Sequence, residues 1–408
     1  MRILQVNTAF IPGGTARVVN NISLEIVAGG DECLIVAARG QMALLEHSKR
    51  IGNTMSTYWN AFMARCFDND GFMGKAATKK LISIIHNYRP DIIHIHNLHG
   101  YYINIKLLFD FLKTANIPVV WTLHDSWAFT GHCTYFTTAH CDKWSGMGCA
   151  KKCPLLNEYP TCRLFGRTAK NFRLKQEILT DVDNLTIVTP SKWLSGCVKQ
   201  SFLNDYTVRV IYNGIDLNVF KPVKSPIRQE LRIGNKTMIL GVAMQWIKRK
   251  NLAAYVEIAK RLSNKYVIVL VGAHDVSRRD LPRNMICVPP TLRPARMAQF
   301  YSAADVLLNL STSETFGLVT VEALACGTPV ILYNNSAAPE LVDESCGFLV
   351  DEEEGVDRVA EIVSSKVWRN VSSKACIAQA KKFSLSKQLE NYRKLYQECI
   401  QPGEDNSK

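Results

Sequence analysis

The stretch Ser311-Thr-Ser-Glu-Thr-Phe-Gly-Leu-Val-Thr-Val-Glu-Ala-Leu-Ala-Cys-Gly-Thr-Pro-Val330 decides how the chain is read. An apolar run from Asp305 to Leu310 precedes it and has the character of a buried strand. Behind the small-residue loop, Leu318, Val321 and Leu324 recur at helical spacing, and Gly327 and Pro329 stop the helix. Strand, polar loop with Gly317 and helix N-terminus together make an anion site, because the first helical amides have no partner within the helix. Glu314 lies in the loop and Glu322 about one turn inside the helix, so both can face one crevice. Carboxylates repel phosphate and suit sugar hydroxyls, which points to a substrate carrying both. Taken alone, the pair is a capping acid and an ordinary helix carboxylate, since acids are favoured in first helical turns.

Working outward, the same alternation of strand and helix fills both halves of the chain. In the first half, strand-like runs cover Ile3 to Asn7, Glu32 to Ala37, Ile92 to His96, Val119 to Leu123, Leu185 to Thr189 and Val208 to Tyr212. Helical patterns cover Ala16 to Ala28, Lys75 to Asn87 and Tyr101 to Ala115. The first strand runs into Pro12-Gly-Gly-Thr15, where Gly13 and Gly14 let backbone amides approach a ligand, although the pattern is not GxGxxG. His96, His99 and His124 fall at or just past strand ends, where parallel sheets present their ligand crevice. The second half restarts at Met238 to Ala243 and ends near Phe383. This predicts an α/β chain of two doubly wound, Rossmann-like domains facing an inter-domain cleft. The expected division is 1–215, 216–383, and a last segment, 384–408, whose helix packs back on the first domain and whose tail from Gln401 is disordered.

Composition sets limits. A chain of 408 residues exceeds what one core supports, in keeping with two domains. No apolar run approaches the roughly 18 to 20 residues of a membrane span. The opening Met1 to Asn7 enters a strand directly, so a cytoplasmic location is expected. The formal net charge of +13 is spread over both halves, which argues against a nucleic-acid arm and leaves phosphate-bearing ligands or an anionic membrane face. Arg163, Arg167, Lys170, Arg173 and Lys175 are candidates for such a patch on one helical face; the plainer alternative is a solvated helix face. Cys133, Cys141, Cys149 and Cys153 lie in an aperiodic loop, 127–162. They are candidates for a structural zinc site that would staple it, the alternative being reduced thiols packed beside aromatic residues.

Three landmarks in order carry a family resemblance: Asn213-Gly-Ile-Asp216 after a strand, Lys250 before a helix, and Glu314-Thr-Phe-Gly-Leu-Val-Thr-Val-Glu322. Together they resemble the retaining glycosyltransferases of family 4, which have the two-domain GT-B fold. Gly13-Gly-Thr15 and His124-Asp-Ser-Trp127 with the cysteine-bearing loop are similar to members that build colanic acid, O-antigen or other exopolysaccharides. The resemblance implies transfer of a sugar from a UDP- or GDP-linked donor to a glycan or lipid-diphosphate-linked oligosaccharide, without a catalytic metal or other cofactor. It implies Glu314, Lys250 and His124 as catalytic residues. It places Glu322 on the donor ribose, and the amides of Phe316, Gly317 and Leu318 with Asn213 and Gly14 around the donor. The family's arginine just before the lysine falls here on Met244 or Gln245, leaving Lys248 or Arg249 to replace it. A nucleotide-sugar epimerase, a phosphorylase, or a non-catalytic nucleotide-sugar binder are the other readings. The first two would need acid/base pairs or a cofactor lysine context that the sequence does not show, and the third would be expected to have lost Glu314, Glu322 or Lys250.

Overall fold

The computed structural model describes residues 1–10, 13–40, 47–274, 276–277 and 281–401. Pro12 and the tail 402–408 therefore lie outside the described residues. The chain divides into two compact units, one of Met1–Tyr212 with Leu389–Lys408 and one of Asn213–Gln388.

The first unit is built on β1 (Arg2–Ala9), β2 (Glu32–Arg39), β3 (Ser48–Arg50), β4 (Ile92–Ile95), β5 (Val119–Thr122), β6 (Leu185–Thr189) and β7 (Thr207–Val210). These strands pair in parallel in the order β3-β2-β1-β4-β5-β6-β7. The inner strands read as apolar runs because helices cover both sheet faces, so alternate residues on each side need burial. Order reverses at β1, which pairs with β2 on one side and with β4 on the other, Ile3 opposite Ile92 and Val6 opposite Ile95.

The second unit repeats the plan with β8 (Thr237–Val242), β9 (Tyr266–Val271), β10 (Met285–Val288), β11 (Val306–Asn309), β12 (Val330–Tyr333) and β13 (Gly347–Val350), ordered β10-β9-β8-β11-β12-β13. Every residue of β9 is buried. Its reversal lies between β8 and β11, where Val306 stands opposite Ile239. The expected α/β class with two doubly wound domains is what the chain forms.

The last helix, Leu385–Ile400, delivers Tyr392 and Tyr396 into the first unit. The Tyr392 hydroxyl lies 3.0 Å from Thr122 Oγ1, and the Tyr396 hydroxyl 2.7 Å from His94 Nδ1. Among the described residues no helix is long and apolar enough to cross a membrane.

Three expectations are corrected. The helix expected over Tyr101 to Ala115 is confined to Ile105–Leu112, because Tyr101 takes a left-handed φ of 69° and Asn104 caps the helix through its Oδ1, which accepts from the Leu107 amide at 2.9 Å. The proposed basic face does not form. Its helix is Thr168–Leu179, so Arg163 and Arg167 precede it, and Lys175 is buried. Lys175 Nζ donates to the carbonyls of Trp127 (2.7 Å) and Thr130 (3.0 Å) and sits 3.4 Å from the Trp127 ring centroid. Burial pulls its ammonium down to about 7.

The third concerns zinc. Among the described residues no group of three or more His, Cys, Asp or Glu side chains is disposed to hold a metal. Cys133, Cys141, Cys149 and Cys153 instead line a cavity of ≈ 160 Å³. Burial raises the thiols of Cys133 and Cys149, the latter to about 11. The loop is held by other means. Phe136 packs on Trp144 (centroids 4.6 Å apart) and on Trp193 (5.9 Å), and Lys175 ties down two of the loop's carbonyls.

Candidate functional site

In an open parallel sheet, the loops leaving the two strands at the reversal diverge and leave a crevice. In the second unit those loops follow β8 and β11. The first carries Lys248–Lys250, a short 3₁₀ turn before the helix Leu252–Arg261. The second carries Glu314 and opens the helix Leu318–Ala325.

The two loops are bonded to each other. The Thr312 amide donates to the Arg249 carbonyl at 3.0 Å, and Arg249 Nη1 donates to the Ser313 carbonyl at 2.6 Å. Lys250 Nζ forms a very short ion pair with Glu314 Oε1, and Arg249 Nη1 lies 3.4 Å from the same oxygen. The Glu314 backbone is fixed separately: its amide donates to Ser336 Oγ at 2.9 Å, and its carbonyl accepts from the Ala337 amide at 3.1 Å. At the strand end, Asn309 accepts from Ser311 Oγ at 2.8 Å and donates to Thr320 Oγ1 at 3.2 Å, clamping both ends of the loop.

Burial pushes the Glu314 carboxyl upward, but Lys250 and Arg249 outweigh it and hold it down to about 2. Burial lowers the Lys250 ammonium, against the pull of Glu314. Two cations against one carboxylate leave the cluster with surplus positive charge. A folded value below the ordinary 4.5 makes Glu314 a source of stability above pH 4.5 that disappears as pH falls towards 2. Glu314→Gln should therefore flatten the acid limb of a denaturation-midpoint profile between pH 4.5 and 2.5, by up to about 3 kcal/mol. An unchanged limb would contradict the ion-pair geometry.

Glu322 sits apart from that pair. It is buried, and its Oε2 accepts from the Tyr301 hydroxyl at 2.7 Å. Tyr301 lies on the helix Pro294–Ala303, and its carbonyl accepts from Thr328 Oγ1 at 2.7 Å. Gly317 begins the helix with φ 102°, a left-handed conformation that a side chain would strain. Phe316 is buried with its ring edge-on to Phe383 (5.6 Å), so its side chain anchors the loop. Of the two candidates for the arginine's place, Arg249 reaches Glu314 and Lys248 is exposed. Asn213 is buried, and its Oδ1 accepts from Gln388 Nε2 at 3.3 Å.

The first unit orders its own reversal through a line of imidazoles. Gln5 Nε2 donates to the Val19 carbonyl at 3.2 Å, which fixes the amide orientation because a carbonyl can only accept. Gln5 Oε1 must then accept from His96 Nε2 at 2.9 Å, so that nitrogen carries the proton. Burial drives the His96 pKa well below its ordinary value, leaving the ring neutral and Nδ1 bare. His124 Nε2 lies 3.1 Å from that Nδ1 and must donate to it. Burial also lowers His124, to about 4, so at neutral pH it is an uncharged imidazole with its proton on Nε2. Beside it, His99 Nε2 pairs with Asp125 Oδ2 at 2.8 Å; burial works against the charged ring there, but the aspartate outweighs it and raises the pKa. Gly14, exposed, begins the helix Gly14–Ala28.

Gln5, Tyr301 and Ser336 are supports that the sequence reading missed. Each is an ordinary residue within a strand, helix or loop pattern, and only its non-local partner gives it meaning.

Comparisons with known proteins bear on the family and the fold. The model for Glycosyltransferase Family 4 matches residues 12–219, and that for Glycosyl transferases group 1 matches residues 223–383. A chain named for colanic acid biosynthesis, the glycosyl transferase WcaC of Escherichia coli, is 25% identical over 388 residues, covering 87% of this chain and 88% of that one. Sucrose-phosphate synthase from Thermosynechococcus elongatus superposes with a TM-score of 0.73 at 17% identity, over 98% of this chain and 100% of that one. HepE of Anabaena in complex with UDP and glucose gives 0.68 at 17% identity, over 97% and 99%. With one family model covering half the chain, a second covering most of the remainder, and the fold shared along its length, the protein belongs to glycosyltransferase family 4 and is a glycosyltransferase of GT-B fold.

Proposed function

We propose that this protein transfers a sugar, with retention of anomeric configuration, from a UDP- or GDP-linked donor. The acceptor is a glycan or lipid-diphosphate-linked oligosaccharide of a bacterial surface polysaccharide, such as O-antigen, capsule or exopolysaccharide. The observation that carries this reading is Glu314 held between Lys250 and Arg249 where β8 and β11 diverge. The similarity to WcaC supports the pathway class, and the UDP and glucose held by HepE support the donor class.

As the bond from the anomeric carbon to the phosphate oxygen breaks, positive charge grows on the sugar and negative charge on the leaving diphosphate. Lys250 and Arg249 supply preorganised cations for the diphosphate. Engaging it frees the Glu314 carboxylate for donor sugar hydroxyls. Glu322, oriented by Tyr301, takes the ribose hydroxyls, while the amides of Phe316, Gly317 and Leu318 stand beside Glu314 at the donor. The acceptor hydroxyl forms the new bond on the face the diphosphate leaves and passes its proton to a diphosphate oxygen. Neutral His124, its Nε2 proton committed to His96, accepts a hydrogen bond from a hydroxyl of the transferred sugar, while Gly14 and Asn213 complete the backbone contacts. Because the two cations carry the leaving-group charge, the reaction proceeds without a catalytic metal. Its nucleotide substrates place it on the cytoplasmic side.

Thermal stabilisation across a panel of nucleotide sugars identifies the donor, and NMR of the fresh product reads its anomeric configuration. An inverted product, or turnover abolished by EDTA and restored by a divalent cation, would overturn this mechanism.

A further inference from the structure

The helix Thr54–Phe67 is turned the opposite way from an ordinary surface helix. Its inward side carries Asn60, Ala61 and Ala64, with Asn60 Nδ2 donating to the Tyr101 carbonyl at 2.9 Å. Its large apolar side chains point to solvent: Met55 is 81% exposed, Tyr58 74%, Trp59 58% and Phe62 55%. Their spacing of i, i+3, i+4 and i+7 puts all four on one stripe. A capping box of Asn53 and Ser56 holds the helix start, so the stripe sits on a well-formed element.

The stripe continues beyond the helix. The Arg163 amide donates to the Arg65 carbonyl at 2.7 Å and the Phe165 amide to the Cys66 carbonyl at 2.9 Å, laying that segment along the helix end. Phe165 stacks on Phe67 with centroids 5.8 Å apart, and Leu164 and Phe165 are both more than 60% exposed. Monomeric surfaces rarely carry so continuous an apolar patch without an interaction to serve.

The exposed charges on the helix, on the segment laid against its end and on the flanking cleft are basic. The helix contains no acid, and Arg65 is its charged residue. Arg65 and Arg163 are exposed at one end. Along one flank, Lys75 and Lys80 of the helix Lys75–Tyr88 line a cleft of ≈ 700 Å³ together with Ser56 and Asn60. Tryptophan and tyrosine flanked by lysine and arginine suit the headgroup region of a bilayer, where apolar rings enter and cations stay with anionic headgroups. A second copy of the chain fits less well. A two-fold interface would set each basic rim against the same rim of its mate.

We infer that this aromatic face, with its basic rim, docks the enzyme on an anionic bilayer surface, the helix lying in the plane of the headgroups. The purpose of docking rests on the lipid-linked acceptor proposed above, whereas docking itself is measured without donor or acceptor. A failure of one reading is thus separable from a failure of the other.

The test is co-sedimentation of the full-length protein with vesicles of phosphatidylcholine alone or with a third of phosphatidylglycerol, at low and at 0.5 M salt. Wild type should bind the anionic vesicles and be weakened by salt, because screening shortens the reach of the basic rim. Replacing Tyr58, Trp59 and Phe62 together by serine should lower the partition coefficient at least about tenfold. The exposed positions leave the fold intact, which the thermal midpoint checks. A second measurement needs no variant: phosphatidylglycerol with brominated acyl chains should quench wild-type tryptophan fluorescence. Absence of vesicle binding, equal binding by the triple variant, or no bromine quenching each overturns the proposal. So does light scattering that shows a wild-type dimer which the triple variant dissociates.

Discussion

Lys250→Ala lowers kcat for sugar transfer by about 10²–10³-fold while the protein remains folded, since one preorganised charge at a leaving group is worth about that much. The fold survives because Arg249 Nη1, 3.4 Å from Glu314 Oε1, still compensates the carboxylate. Removing both cations is a different matter. In Lys250→Ala/Arg249→Ala the largely buried Glu314 is left uncompensated, which costs on the order of 3–5 kcal/mol and raises its pKa. The two substitutions share one partner, so their effects will not add. Initial rates with the identified donor, paired with urea unfolding, separate the two outcomes. A single variant turning over within threefold of wild type would remove Lys250 from the mechanism.

Gly272→Ala should be nearly as damaging, through geometry alone. Gly272 follows β9 with φ +86°, and a β-carbon there would fall inside the van der Waals shell of the Ala243 carbonyl oxygen. Neither side can yield cheaply. The Ala243 amide is bonded to the Val271 carbonyl at 3.1 Å, and the Gly272 amide to the Val288 carbonyl at 2.8 Å. Relief has to come from the loop after β8, which leads through Ala243 to Lys250. Left-handed strain and displaced backbone together should cost about 3–5 kcal/mol. The variant should also lose transfer activity where it still folds, because Lys250 and Arg249 move with the loop. Urea denaturation and kinetics below the unfolding midpoint check both; a loss under 1 kcal/mol would show that the contact can relax.

The structure also sorts residues that look alike in the sequence. Lys248, Arg249 and Lys250 are three successive cations, and spacing cannot say which of them face Glu314. The 3₁₀ turn answers that, directing the last two to the carboxylate and leaving Lys248 in solvent. Lys175 shares a basic segment with Lys170 and Arg173, yet it is the buried clamp of the aromatic loop. The four clustered thiols have the count of a zinc site without its arrangement. The helix Thr54–Phe67 is the sharpest instance. Periodicity alone would assign Met55, Tyr58, Trp59 and Phe62 to a core, whereas the fold covers the alanine side and leaves them outside.

The sequence by itself determined the alternation of apolar strands and amphipathic helices, and with it two parallel, doubly wound sheets. It also determined that Glu314 lies in a loop, Glu322 on the helix behind it and Lys250 just before another helix, because these depend on local period and on residues a few positions apart. Tertiary structure alone decided that Arg249 joins Lys250 on Glu314, that Gln5 sets the proton of His124 through His96, and that one aromatic helix face stays open. Each of those depends on which distant segment packs against a residue, and local periodicity carries no information about that neighbour.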